Sequence, residues 1–226
     1  MPGSERLSEA IDEWMAVLSR RRPVFHSEFD FQFALCDVME KAGVTRIRLE
    51  RMVPLPGNPR FEIDIMGYLD ENTPLALELK YPKERFAGTV SSDGYDESFI
   101  LPCSNAFDLD AHGIWKDASR IEKLLAAEVV KVGALIALSN YEFWDQAKFR
   151  HGTQRYDFRL WQGREVAAGT VLRFPAATQR EYLPIELTSS YRCDWRRYSE
   201  PPGADFRYLV LEPASDHTVS GAFAYR

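Results

Sequence analysis

Two short stretches decide how this chain folds: Phe61-Glu62-Ile63-Asp64-Ile65-Met66 and Leu75-Ala76-Leu77-Glu78-Leu79-Lys80. Both alternate in side-chain character with a period of two, the pattern of a β-strand. Alternation places Phe61, Ile63 and Ile65 on one face of the first strand, with Glu62, Asp64 and Met66 on the other. In the second, Leu75, Leu77 and Leu79 take one face, and Ala76, Glu78 and Lys80 the opposite one. The intervening Asp70-Glu71-Asn72-Thr73 is a turn-forming composition. The strands are therefore expected to pair, stack their apolar faces on a helix, and gather Asp64, Glu78 and Lys80 on the opposite surface.

Upstream, residues 44 to 53 are also β-rich, and Pro54-Leu55-Pro56-Gly57-Asn58-Pro59 joins them to the strand at 60 to 69. Connections this short imply an antiparallel meander over 44–53, 60–69 and 74–81. Before it, Ser27 with Asp30 three residues later reads as a capping box, and Phe31, Leu35, Val38 and Ala42 run down one face to Gly43, which predicts a helix over 27–43. Leu7, Ile11, Trp14 and Leu18 mark an earlier amphipathic helix that stops at Arg20-Arg21-Arg22-Pro23.

Downstream, residues 83 to 112 are polar, carry Gly88, Gly94 and Pro102, and show no evident element; a span of that length is usually functional or a lid. Helical spacing resumes over Ile114 to Lys131, and the continuous apolar run Val132 to Leu138 suits a buried strand, so helix and strand form a crossover. From Leu160 come short β-like runs, including Glu181 to Arg192 and Phe206 to Leu211, broken by Gly163, Gly169 and Pro201-Pro202-Gly203. The expected organisation is one α/β domain: an N-terminal helix (1–22), a core (24–145) and a C-terminal β extension (146–226).

With 226 residues, 45% of them hydrophobic, the chain can build a large core, which excludes wholesale disorder and a disulfide-stapled miniprotein. Its 28 Lys and Arg against 34 Asp and Glu, a net charge of −6, exclude a polycation that coats nucleic acid, so any such binding is local. Cys36, Cys103 and Cys193 are odd in number and lack metal-ligand spacing; they read as core thiols in a reducing compartment. No apolar stretch reaches a membrane span, and the opening lacks the order of a signal peptide, so a cytoplasmic protein without membrane contact is expected. His26, His112, His151 and His217 have neither ligand spacing nor a nucleophile partner, and no glycine-rich phosphate loop is present.

The grouping of Asp64, Glu78 and Lys80 has specific chemistry. Two carboxylates at close range raise each other's pKa unless a cation lies between them, and hard oxygen ligands suit Mg²⁺ or Mn²⁺. A divalent cation lowers the pKa of bound water and offsets charge on a phosphoryl oxygen, while an ammonium beside it orients the nucleophile. That is an apparatus for phosphodiester hydrolysis. The competing reading of a Glu-x-Lys on a strand is a solvated face.

The order helix, three strands, helix, strand, with Asp64 followed by Glu78-Leu79-Lys80, resembles the PD-(D/E)xK nuclease superfamily, the restriction-endonuclease-like fold, over about residues 24 to 140. The resemblance implies that Asp64 and Glu78 hold the metal, that Leu79 lends its carbonyl, and that Lys80 serves the attacking water. It further points to Glu28 as an added acidic ligand from the preceding helix, with Gln32 one turn on; the alternative for Glu28 is an acid favoured by the helix dipole. No Pro precedes Asp64; Ile63 stands there instead. His112 to Glu122 also looks like an Asp-x-x-Arg-x-Glu segment of bacterial proteins with this type of core, in which Asp117 can cap the crossover helix and Arg120 can reach a phosphate, or the two can form a cap and a structural ion pair.

Tyr81, Lys83 and Arg85 follow the Glu-x-Lys strand directly, where a scissile backbone would arrive, and are expected to contact phosphates. Tyr191 to Tyr198 interleaves aromatics with arginines, either to stack bases or to alternate core and surface along a strand. The expectation is a Mg²⁺- or Mn²⁺-dependent nuclease acting on nucleic acid, DNA before RNA, with a homodimer convenient for cutting both strands. Two alternatives stand beside it: a catalytically silent module of the same fold that binds nucleic acid or a protein partner, and another metal-dependent phosphoryl reaction on a nucleotide.

Overall fold

The computed structural model describes residues 7–55, 58–104, 106–153, 156–175 and 183–214. Helix α1 (Leu7–Arg21) buries Leu7, Ile11, Trp14, Met15 and Leu18, the stripe its spacing predicts. Helix α2 (Glu28–Lys41) starts where Ser27 Oγ accepts the Asp30 N–H at 3.1 Å. The reciprocal half of the capping box is altered. Asp30 accepts the His26 N–H and pairs with Arg22. The helix ends before Ala42, which is exposed rather than part of the buried face.

Strands β1 (Thr45–Leu55), β2 (Asn58–Tyr68) and β3 (Pro74–Lys80) form the antiparallel meander. Asp70 closes the β2–β3 turn by accepting from the Asn72 N–H and the Thr73 hydroxyl. Pro56 and Gly57 lie outside the described residues. The segment 83–112, expected to lack an element, contains a hairpin of β4 (Phe86–Ser92) and β5 (Tyr95–Leu101). Its two-residue turn is Asp93-Gly94, both with positive φ (49° and 80°), and Phe86, Val90, Phe99 and Leu101 anchor it on the core.

Helix α3 runs from Phe107 to Ala126, seven residues earlier at its start than the apolar spacing indicates and five shorter at its end. Strand β6 (Val132–Ser139) follows and lies parallel to β3, as the crossover requires. Beyond it, β7 (Glu165–Val166) pairs with β10 (Tyr191–Arg192) and β8 (Val171–Leu172) with β9 (Ile185–Glu186). Residues Glu181 and Tyr182 of the expected run lie outside the described residues, as does His217. The last strands, β11 (Trp195–Ser199) and β12 (Phe206–Leu211), belong to the main sheet, whose order is β1-β2-β3-β6-β12-β11. They are thus not an appendage: β12 pairs antiparallel with β6.

The six-stranded sheet is covered on both faces. Leu75, Leu77 and Leu79 of β3, with Ala134, Ile136 and Leu138 of β6, pack under α1 and α2. Ala76 of β3 and Leu135 and Ala137 of β6 face α3, which explains why β6 reads as a continuous apolar run. β2 departs from simple alternation. Phe61 and Ile63 pack with Met66 against Ile121 and Leu124 of α3, whereas Ile65 joins the α1/α2 layer, so the face changes at Asp64. Cys193 is buried and Cys36 half-buried, but Cys103 is exposed, so it is no core thiol. Among the described residues no helix is long and apolar enough to cross a membrane.

α3 sits close on β6. A Cβ at Gly133 would lie 2.8 Å from Ile121 Cγ2 and 3.1 Å from the Ala76 carbonyl oxygen. Gly133→Ala is therefore expected to lower stability by about 1–3 kcal/mol in urea titration, the cost of forcing extra atoms into a packed layer. Gly113, within α3, is the contrasting case: among the described residues, its own helix backbone aside, its Cβ would meet Lys80 Cε alone, at 3.7 Å. Gly113→Ala is expected to be neutral or to stabilise by up to about 1 kcal/mol through helix propensity.

Candidate active site between β2, β3, α2 and α3

Antiparallel pairing between β2 and β3 ends at Ile65↔Leu77. Past that point the strands part, and the Leu79 N–H is bonded by Asp64 Oδ2 at 2.6 Å instead of by β2 backbone. Asp64 thereby caps a buried donor and is held at the fork. On the β1 side Glu50, with φ of 48°, stands between the pairs Leu49↔Ile65 and Arg51↔Ile63 and accepts from Gln32 Nε2 at 2.6 Å. Gln32 Nε2 also donates to the Asp64 carbonyl at 2.8 Å. One turn earlier on α2, Glu28 Oε2 accepts the Tyr81 N–H at 2.7 Å, just past the end of β3. α2 thus holds both sides of the fork, through Gln32 on β2 and Glu28 after β3.

Glu78 and Lys80 lie on the other side of β3, beneath α3, and not on an open surface. Glu78 is 1% exposed. Lys80 Nζ contacts Asp117 Oδ2 at 2.6 Å and donates to the Leu79 carbonyl at 3.0 Å. Arg120 Nε lies 3.0 Å from Glu78 Oε1, yet the two atoms are misaligned, and both are buried without a hydrogen bond among the described residues. Arg120 also pairs with Asp117 at 3.6 Å, stacks over Phe61 at 4.7 Å and donates to the Glu62 carbonyl. Asp117 is no helix cap: it lies in the middle of α3, whose N-cap is Ala106. Asp110, Gly113, Asp117 and Arg120 share one face of α3 at helical spacing. Reading Phe107 to Ala111 as helix would have aligned that face from sequence.

The electrostatics follow from four carboxylates, Glu28, Asp64, Glu78 and Asp117, around two cations, Lys80 and Arg120. Burial, with Asp117 and Asp64 nearby, pushes Glu78 well above the ordinary carboxylate range, against the opposing pull of Arg120 and Lys80. Asp64 and Glu28 are raised chiefly by burial, offset by their backbone N–H partners and by Lys80. Burial alone would depress Lys80, but Asp117, Glu28 and Asp64 outweigh it and raise it, so its ammonium stays protonated.

The outer residues divide. Lys83 is half-buried, its ammonium 4.7 Å from the Tyr81 ring centre and its pKa lowered mainly by burial. Arg85 is exposed beside it. Tyr81 is buried, with its hydroxyl donated to the Phe25 carbonyl at 3.0 Å, so it belongs to the core and not to the mouth of the site. In the Asp-x-x-Arg-x-Glu segment, Glu122 accepts from Thr188 N, Ser189 N and the Tyr191 hydroxyl, a tie between α3 and the C-terminal segment. Tyr191, Cys193, Trp195 and Tyr198 are buried and Arg192 and Arg197 exposed, which is core–surface alternation. Two site residues escape sequence reasoning: Glu50, hidden in an exposed strand, and Asp110, whose buried Oδ2 has no hydrogen bond among the described residues.

Whether the site fits a divalent cation turns on its donor set. Among the described residues no group of three or more His, Cys, Asp or Glu side chains is placed to hold a metal ion. Mg²⁺, however, is commonly held by one or two carboxylates together with waters and substrate phosphates. Asp64 and Glu78 are two such hard donors on adjoining strands, and among the described residues Glu78 Oε1 has no hydrogen-bond partner. In kind and charge the set fits. No protein-family model, curated protein or solved structure matches this chain.

Glu78 gives a pH signature. A carboxyl whose pKa is raised by folding stabilises most below its ordinary value of 4.5, and that contribution is lost as pH rises through the higher folded value. In chelator, Glu78→Gln is expected to melt above the wild type at pH 8 by at least about 3 °C, the shift that roughly 1 kcal/mol gives in a chain of this size. The difference should shrink toward pH 5; scanning calorimetry across this range checks both size and sign.

Proposed function

We propose that the protein is a metal-dependent nuclease of the PD-(D/E)xK type that hydrolyses phosphodiester bonds of nucleic acid, with DNA as the substrate. The observation that carries this reading is the fork in the sheet: Asp64 leaves β2 where β3 diverges, and Glu78 and Lys80 follow on β3 within one buried, over-negative cluster. A divalent cation held by Asp64, Glu78 and the Leu79 carbonyl would supply Lewis-acid stabilisation of the phosphoryl oxygen and a water of lowered pKa.

The chain's own residues set the rest. Lys80 is held as an ammonium by Asp117, so it does not act as a general base; its role is to orient the attacking water and offset charge in the pentavalent state. Glu28, reached by Lys80's field and bonded to the Tyr81 N–H, fixes the position of the strand end from which Lys80 projects. Gln32 keeps Asp64 in register through its carbonyl. Lys83 and Arg85 lie beyond the strand end and are assigned to substrate phosphates.

One observation favours a second reading. Lys80 and Arg120 are both engaged by carboxylates, and the described residues show no three-ligand metal group. A catalytically silent module that binds nucleic acid or a protein partner would tolerate such a closed arrangement.

Plasmid cleavage separates the two. The wild type is expected to nick supercoiled DNA with Mg²⁺ or Mn²⁺ and not in chelator. Asp64→Asn, Glu78→Gln and Lys80→Met should each lower the rate by at least about 100-fold, on the scale of losing one transition-state contact. Full activity in any of these variants, purified and folded, sinks the assignment. DNA retention in a mobility-shift assay without any cleavage supports the silent module.

A further inference from the structure

We propose that Arg120 is an exchangeable counter-cation for Glu78: it occupies the carboxylate in the free protein, and metal uptake releases it toward the substrate phosphate. This rests on the nuclease reading above and adds an order of events within the same site.

Three features support Arg120 in this role, and the first and third distinguish it from Lys80. The first is fit. Lys80 makes a 2.6 Å contact with Asp117 and an aligned 3.0 Å bond to the Leu79 carbonyl, whereas Arg120 Nε approaches Glu78 Oε1 at 3.0 Å without the alignment of a hydrogen bond. A buried carboxylate held by a misaligned cation is the weaker partnership, because the desolvation of both groups is poorly repaid. The second is reach. The Arg120 side chain is 24% exposed while that of Glu78 is 1% exposed, so the side chain has a path from the buried carboxylate toward solvent; Lys80, at 27%, is exposed to the same degree. In the same position its guanidinium lies over the buried Phe61 ring and donates to the carbonyl of exposed Glu62, contacts that do not depend on Glu78. The third is chemistry. A guanidinium is weakly hydrated and its planar fork matches a phosphate, so once free of Glu78 it is suited to the substrate backbone.

The exchange has a thermodynamic consequence. While Arg120 holds Glu78, only the fraction of molecules with the guanidinium swung out is competent for the cation, and apparent affinity falls by that fraction. If about one molecule in ten is open, removing the arginine tightens binding about tenfold.

The test is Mn²⁺ titration calorimetry on the full chain as wild type, Arg120→Met and Arg120→Lys, without nucleic acid. Arg120→Met is expected to bind about tenfold more tightly than the wild type, with Arg120→Lys between them. A second measurement needs no variant: modification of the wild type by an arginine-selective dicarbonyl, read by peptide mass spectrometry. Arg120 should react faster at saturating Mn²⁺ than in chelator, with Arg85 as the unchanged internal reference. Equal affinities in wild type and Arg120→Met, or equal Arg120 reactivity with and without Mn²⁺, overturn the exchange and leave the nuclease reading intact. Absence of Mn²⁺ binding in all three proteins overturns both.

Discussion

Charges enclosed between a sheet and a helix constrain everything around them. Glu78 and Asp117 are almost wholly removed from water, and carboxylates in that position are tolerated only with cations or donors at hand. Here Lys80 and Arg120 supply them, one from β3 and one from α3. Where α3 packs on the sheet, Asp117 meets Lys80 and Arg120, one turn on, lies beside Glu78. Gly133 allows the close approach this requires, since any side chain there would press on Ile121 and the Ala76 carbonyl.

The fork between β2 and β3 is the complementary device. A sheet that stayed paired would satisfy the Leu79 N–H with β2 backbone. Asp64 substitutes a carboxylate for that partner, so opening the sheet leaves no unsatisfied donor. α2 stabilises both lips, with Gln32 on the Asp64 carbonyl and Glu28 on the Tyr81 N–H. The residues that permit the fork, Asp64 and Glu28, therefore also contribute to the charge of the buried cluster.

The C-terminal half anchors this arrangement from the far side. β12 and β11 continue the sheet beyond β6, and Glu122 ties the segment at Thr188 to Tyr191 onto α3. Arg196 and the Tyr208 hydroxyl both reach Asp12 of α1, so the last strands also fix the first helix. α3 is held on both sides: by the Glu78–Lys80 strand at its middle and by the C-terminal segment through Glu122.

Periodicity and turn chemistry alone determined the helices α1 and α2, the meander, the buried β6 and the grouping of Glu78 with Lys80 on one side of β3, because each depends on residues adjacent in sequence. The Asp93-Gly94 turn was equally local, and its signal was present in the sequence, but the polar outer face of the hairpin masks its strand pattern. Tertiary structure decided what local pattern cannot encode. The start of α3 at Phe107 lacks a capping side chain, the change of face at Asp64 follows from where two strands part, and β11 and β12 join the sheet across a sequence gap that no short-range rule spans. The partners of the charges are of the same kind. That Asp117 meets Lys80 and Arg120 meets Glu78 is fixed by how α3 lies on the sheet, a long-range packing outcome that the linear order of the residues leaves open.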